Sequence, residues 1–332
     1  MKIKKNKHYP LVYLPYVLLA ITLFVAACSK TAPKNVTDNQ KEGLKETGKR
    51  CPSGDKWPVD LCDTMGKGWI FCDDFESEEL LDERYFDYDD SQGGFSLEDS
   101  VGRGGSKGMR AVFDKGEVSA GNLKLAFGRH EIESIGQQAV ANGQNFDEIY
   151  WHMDLCHEAG WSGGGGHKLF RSTTLLEGWG QGHIAHIWSM GGDDHHYLGM
   201  DPATGIDEEG TLASTRYNDW DNLRWLGSHM GEKPLFNSES VGHWYSIEAH
   251  VKLNTPGKSD GIFEFWIDGE LQARRDDYNW HGNWNDNPDN YGINAIFIEN
   301  YWNDPGSVQK QERYFDNFVV STKRIGNLRK SQ

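Results

Sequence analysis

The sequence predicts an all-β fold, a sandwich or jelly roll in one domain, and three observations carry that expectation. Runs of β-branched and aromatic residues with period-two alternation recur along the chain, clusters of turn formers separate them, and no stretch beyond Asn145 sustains a helical period. About 280 residues follow the N-terminal segments, enough for one large β domain, and neither a linker nor an internal repeat divides them.

In chain order, the first element is an export signal. MKIKKNKHYP supplies Lys2, Lys4, Lys5 and Lys7, and an apolar run from Leu11 follows, ending in Val25-Ala26-Ala27-Cys28. A basic region, an apolar core and small residues before a cleavage point describe a signal over residues 1–27. Cys28, directly after the small residues, resembles a bacterial lipobox cysteine and would be lipidated. The expected location is therefore the bacterial cell envelope, with membrane contact through the lipid anchor only, and Ser29 favours the outer membrane. Residues 28–50 hold almost nothing apolar and read as a flexible tether. Residues 51–332 make the β domain.

Cys51, Cys62, Cys72 and Cys156 remain, an even number in an oxidising compartment. Of the three possible pairings, Cys51–Cys62 is favoured by its short loop, which leaves Cys72–Cys156. No close CxxC-type pair points to zinc. Removing residues 1–27, which carry four lysines and no acids, leaves 30 basic and 50 acidic residues and a net charge of −20. Such a surface excludes nucleic acid and anionic membrane as partners. Locally the balance reverses. Arg103, Lys107, Arg110, Lys115, Lys124 and Arg129 outnumber Asp114 and Glu117 between 101 and 130, and Lys168 and Arg171 meet no acid between 167 and 176. A basic groove in an acidic protein focuses the field enough to capture a polyanion.

The strands expected are 149–155, 243–253, 262–269, 293–300 and 313–321. Parity assigns their faces. Ile149, Trp151, Met153 and Leu155 oppose Tyr150, His152 and Asp154, while Ile247, Ala249 and Val251 oppose Glu248 and His250. Phe263, Phe265 and Ile267 likewise oppose Glu264 and Trp266. A face combining Tyr150, His152, Glu248, His250 and Trp266 is expected to be a sugar groove, where rings stack on aromatics and hydroxyls bond polar side chains. In GWGQGHIAHIWSM (178–190), parity places Gln181 and His183 on one face and His186 with Ile184 and Trp188 on the other. We expect His186 in the core and Gln181 and His183 in the groove. Asp193, Asp194, His195 and His196 form a loop cluster with metal-ligating side chains, and YNWHGNWNDNPDNY (278–291) offers Trp280 and Trp284 to a sugar.

The segments WYSIEAHVKLNTPGKSDGIFEFWIDGELQ and YFDNFVVSTKRIG, with FCDDFES near the start and GGGGHKLFR at 163–171, are similar to concanavalin A-like jelly-roll polysaccharide lyases of the alginate and glucuronan lyase type. That resemblance implies a concanavalin A-like β-sandwich with a concave glycan-binding groove, acting as a monomer on an acidic polysaccharide. Alginate lyases of this fold carry a Gln-x-His, matched by Gln181-Gly182-His183, and a late-strand tyrosine, matched by Tyr301. Their Tyr-Phe-Lys-Ala-Gly motif is absent, and their arginine-rich strand is matched loosely by Arg110.

β-Elimination beside a uronic acid needs a group that neutralises the carboxylate, a base for the C5 proton and an acid for the leaving oxygen. Gln181 or Arg171 would neutralise, His183 would act as base, and Tyr301 as acid or in both roles. Lys168 would bind the carboxylate, or act as base if its pKa is lowered. No cofactor is required. A structural calcium where the first and last strands meet would use Asp74, Glu76 and Asp316. Two alternatives stand beside the lyase: a non-catalytic glycan-binding surface lipoprotein, and a jelly-roll glycoside hydrolase. The hydrolase would want Glu-x-Asp-x-x-Glu, which is absent, or a cross-strand pair such as Glu248 and Glu264.

Overall fold

Two antiparallel sheets pack face to face. The computed structural model describes residues 51, 61–63, 65–163, 166–190, 196–303 and 305–328. The signal, Cys28, the tether, and Asp193, Asp194 and His195 of the loop cluster lie outside the described residues. The first sheet runs, in spatial order, β14 (Glu270–Tyr278), β13 (Gly261–Ile267), β12 (Trp244–Lys252), β6 (Glu148–His157), β16 (Gln311–Ser321), β4 (Gly108–Phe113) and β3 (Phe95–Glu98), with β1 (Trp69–Asp73) also on β16. The second runs β10 (Arg224–Trp225), β9 (Tyr197–Thr204), β8 (Gln181–Met190), β7 (Lys168–Leu175), β15 (Ala295–Tyr301), β5 (Ser119–Ala126) and β2 (Asp87–Asp89), with β11 (His229–Pro234) on β9. This is a β-sandwich jelly roll, as the alternation requires, and residues 46–332 form one compact unit.

Period-two patterning explains the core. Trp151, Met153 and Leu155 of β6, Ile247 and Ala249 of β12, and Phe263 and Phe265 of β13 meet Leu123 and Leu125 of β5, Phe170 of β7, Ala185 and Ile187 of β8, and Ile296 and Ile298 of β15. Each fully buried large apolar side chain contributes about 1.5–3 kcal/mol. The expected strands and their core faces are therefore present, but the opposite faces need correction. Tyr150, His152, Glu248, His250 and Trp266 lie on the outer face of the first sheet, where they bind one another and their neighbours. His250 bridges Glu264 at 2.7 Å and Glu148 at 2.9 Å and stacks on Tyr150. The C-terminal segment crosses this face: the amides of Ile325 and Gly326 donate to Glu248, and Arg324 covers the Trp266 ring at 4.4 Å.

The cysteine pairing also differs. The disulfides are Cys51–Cys156 and Cys62–Cys72, with Cα–Cα distances of 6.3 and 5.6 Å. The strand register gives the reason. On β16, Val319 pairs with Cys72 and Tyr314 with Cys156. At about 3.4 Å per residue those positions are roughly 17 Å apart, far beyond the reach of a disulfide. Cys51 instead packs with Val101, Cys156, Trp244 and Tyr314. Bridge Cys51–Cys156 closes a separation of 105 residues and Cys62–Cys72 one of 10. Loop-closure entropy then assigns about 4.7 kcal/mol to the first and under about 3 kcal/mol to the second. Replacing Cys51 and Cys156 by serine should lower the urea midpoint further than replacing Cys62 and Cys72; the reverse order would refute this account.

The expected calcium carboxylates accept hydrogen bonds within the protein. Asp74 accepts the Cys62 amide, Glu76 accepts the Lys107 amide at 2.6 Å, and Asp316 accepts the Arg103 amide and the Ser106 hydroxyl. Among the described residues no group of three or more His, Cys, Asp or Glu is arranged to hold a metal ion.

Candidate active site

The outer face of the second sheet carries a cleft of about 530 Å³ that crosses its strands from β5 to β10. On β8, Ala185 and Ile187 point into the core, so His186 and Trp188 point into the cleft, which they line. On β15 the core takes Ile296 and Ile298, leaving Glu299 and Tyr301 outward. On β7 the ladder to β8 is shifted between Lys168 and Phe170. Such a bulge re-aims a side chain, and it brings Lys168 to the cleft although Arg171 three residues later lies on the same side. The segment after β9 then folds back over the sheet: Asn218 donates its amide to Gln181 Oε1 at 3.0 Å, and this sets Tyr217 on the cleft floor and Trp220 at its rim.

Glu299 is the hub. Its Oε1 lies 3.1 Å from Arg171 Nη2, 3.1 Å from the Tyr217 hydroxyl and 3.8 Å from Lys168 Nζ, and its Oε2 lies 3.3 Å from His186 Nε2. Burial would raise its pKa, but the charges of Arg171 and Lys168, with His186, hold the carboxyl well below the usual range. Burial pushes His186 down to about 4 despite Glu299, so the ring is neutral near pH 7. His186 Nε2 and Glu299 Oε2 face each other without an aligned hydrogen bond. Burial also lowers the pKa of Lys168, aided by Arg171 and opposed by Glu299. The Lys168 ammonium nitrogen sits 5.0 Å from the Tyr301 ring and 5.9 Å from the Trp220 ring. Tyr301 is 39% exposed and faces the cleft. Asn300 Nδ2, Trp188 Nε1 and Asn122 Oδ1, all in residues lining the cleft, make no hydrogen bond within the protein.

Beneath this surface lies a second device. Arg313 of β16 is fully buried and reaches through the core from the other sheet. It donates from Nε to Asn300 Oδ1 at 2.7 Å, and from Nη2 to the carbonyls of Lys168 at 2.8 Å and Glu299 at 2.6 Å. The β7–β15 ladder ends at the Phe170–Ile298 pair. One guanidinium thus spans both strands where their own ladder stops, directly behind the cleft.

Of the residues expected from sequence, the structure brings together Lys168, Tyr301 and, one layer down, Arg171. His183 is corrected. It points into the core, bonding Ser172 Oγ at 3.1 Å and Thr174 Oγ1 at 2.9 Å beside Trp280 and His281. Burial holds its pKa well below the ordinary value. His186 takes the cleft position instead. Gln181 is buried and shapes the loop that carries Asn218. Arg110 lies on the first sheet, tied to Glu312 and Glu98. Trp280 is core, and Trp284 is turned to the carbonyl of Tyr291. Glu299, Tyr217, Trp188, Asp201, Trp220 and Trp225 escaped the sequence reading. Glu299 was within reach, because it shares the parity of Tyr301 in IFIENY; the loop residues had no periodic signal.

The fold class is thus a β-sandwich jelly roll, and known structures share it. An endo-β-1,4-glucuronan lyase from the fungus Trichoderma reesei superposes with a TM-score of 0.50 at 13% identity, over 78% of this chain and 98% of that one. Alginate lyases from a Chlorella virus (TM-score 0.47, 15% identity, 69% of this chain and 89% of that one) and from Aplysia kurodai (0.46, 14%, 70% and 88%) also resemble it. No family model and no curated protein sequence matches the chain.

Proposed function

We propose that this protein is a polysaccharide lyase that cleaves an acidic, uronate-containing polysaccharide by β-elimination. The observation that carries the reading is Lys168: a buried amine with a lowered pKa, 5.0 Å from the ring of a cleft tyrosine, in an open groove bordered by tryptophans. The charges around it favour one anion. With Lys168 protonated, Lys168 and Arg171 against Glu299 leave one net positive charge; with Lys168 neutral the Arg171–Glu299 pair leaves none, and neutral His186 adds none. Protonated Lys168 draws a uronate carboxylate into the cleft, and the amine then gives its proton to solvent, as its lowered pKa favours. Neutral Lys168 removes the C5 proton; the C5–H pair becomes the C4–C5 double bond; the C4–O bond breaks; and the Tyr301 hydroxyl protonates the departing oxygen. Glu299, held by Arg171 and Tyr217, fixes the amine and keeps the floor polar without acting on substrate.

The hydrolase alternative loses its geometry. Glu264 is bound to His250 and Arg274 and Glu248 to backbone amides, all on the opposite side of the sandwich. In the cleft, Glu299 is held by Arg171 and Tyr217 and Asp201 by the Ser228 hydroxyl.

The test is to incubate the full chain with alginate, glucuronan, ulvan and glycosaminoglycans and to follow ultraviolet absorbance from unsaturated ends. Absorbance should rise on at least one polymer, and Tyr301→Phe should cut that rate by about 10²–10⁴-fold. No absorbance on any uronate polymer would sink the reading.

A further inference from the structure

We infer that the preferred polymer alternates its uronate with an uncharged sugar, and that the uncharged ring lies on a platform made by Trp220 and Trp225. The inference rests on the elimination reading for the position of the uronate, and on separate residues for its neighbour.

The platform comes first. Among the described tryptophans, Trp220 and Trp225 are the exposed ones, at 49% and 52%, and both line the cleft. Their rings are parallel within 14° and 5.9 Å apart. A sugar ring inserted between them would need about 7–8 Å, two contacts of about 3.5–4.0 Å, so the pair offers one continuous outward surface. Leaving two indoles half in water costs hydrophobic free energy that a covering ligand recovers. An indole face suits the C–H face of a pyranose. Trp220 is 5.9 Å from Lys168 Nζ, so the platform adjoins the elimination position.

Charge then decides which sugar it takes. On β9, Asp201 pairs in register with His186 and points to the same face, as does Trp225, which pairs with Ala203 two residues further on. Asp201 is bound by the Ser228 hydroxyl and, among the described residues, is in no ion pair. The other lysine of the cleft, Lys124, sits at the far side on β5 and is neutralised by Asp87. Among the described residues the cleft therefore carries one positive locus, protonated Lys168 above the Arg171–Glu299 pair, flanked on the platform side by Asp201. A second uronate there would set its carboxylate against Asp201 without a counter-charge, whereas hydroxyls or an acetamido group would find an acceptor.

Binding to the full chain carrying Tyr301→Phe, which keeps Lys168 and turns over about 10²–10⁴-fold more slowly, separates the two questions. The probes are an oligoglucuronate hexasaccharide, all uronate, and two alternating probes, hyaluronan and desulfated ulvan hexasaccharides, titrated calorimetrically. The better alternating probe should bind at least about tenfold more tightly than the oligoglucuronate, a difference of about 1.4 kcal/mol. Asp201→Asn should narrow that ratio by strengthening oligoglucuronate, and Trp225→Ala should weaken the alternating probe about tenfold, with Trp225→Phe recovering most of the loss. Equal binding of both classes, no binding of either alternating probe, or a ratio unchanged by Asp201→Asn would overturn the inference. If this preference holds while the unsubstituted chain yields no unsaturated ends, the elimination reading falls and the platform stands. If unsaturated ends appear without the preference, the platform alone falls.

Discussion

Replacing Lys168 with methionine should lower the elimination rate by about 10²–10⁴-fold, the usual contribution of a proton-transfer group. Methionine keeps the length and apolar stem, and Glu299 keeps Arg171 and Tyr217 as partners, so the fold should survive, while glycan affinity should fall with the lost charge. The pH profile gives the diagnostic sign. A lysine base works only when neutral, so the rate should climb as pH rises through its pKa. Burial, with Arg171 and against Glu299, moves that limb below the ordinary lysine value of 10.5. The limb should be present in the unsubstituted protein and absent from whatever activity Lys168→Met retains. A variant keeping more than about a tenth of the rate would exclude Lys168 as the base.

Arg313→Met should produce a large loss of stability. The substitution strips a donor from Asn300 Oδ1 and from the carbonyls of Lys168 and Glu299, all buried. Leaving each acceptor unpaired costs about 1–3 kcal/mol. Removing a buried charge gives part of that back, since desolvation already pushes the guanidinium down to about 9. A net loss of about 3 kcal/mol is expected, read as a lower urea midpoint with an unchanged slope. Arg313→Lys should recover little, because one ammonium cannot reach two strands and an amide in the geometry of a guanidinium fork. A midpoint within error of the parent would show that β7 and β15 do not depend on this crossing.

The strands and the core were legible because alternation is a local signal. Trp151, Ile247 and Phe263 announce their face without reference to anything distant. The cleft was not legible, for two reasons. On β8 both faces are covered: Ile184 packs outward with Ala203 and Leu223 under the returning loop, so parity alone could not say whether His183 or His186 faced the core. On the first sheet, Tyr150, His250 and Glu264 have the composition of a sugar surface, yet their cross-strand register turns them into a closed set of hydrogen bonds and stacked rings. Lys168 and Tyr301 were found because residue chemistry named them. Trp220, Trp225 and Asp201 were missed because only the packing of the segment after β9 gathers them.

The bridge from Cys51 to Cys156 has a mechanical consequence. Cys156 belongs to β6, which is flanked in its sheet by β12 and β16. Tension applied to the chain ahead of Cys51 therefore passes through the sulfurs into an interior strand, and residues 52–155 form a covalent loop that carries none of it. Without the bridge, the same pull would reach β1 and peel it from β16 one hydrogen bond at a time. With it, the load meets two ladders at once, and the domain resists being unzipped from its N-terminal side for as long as the disulfide stays oxidised.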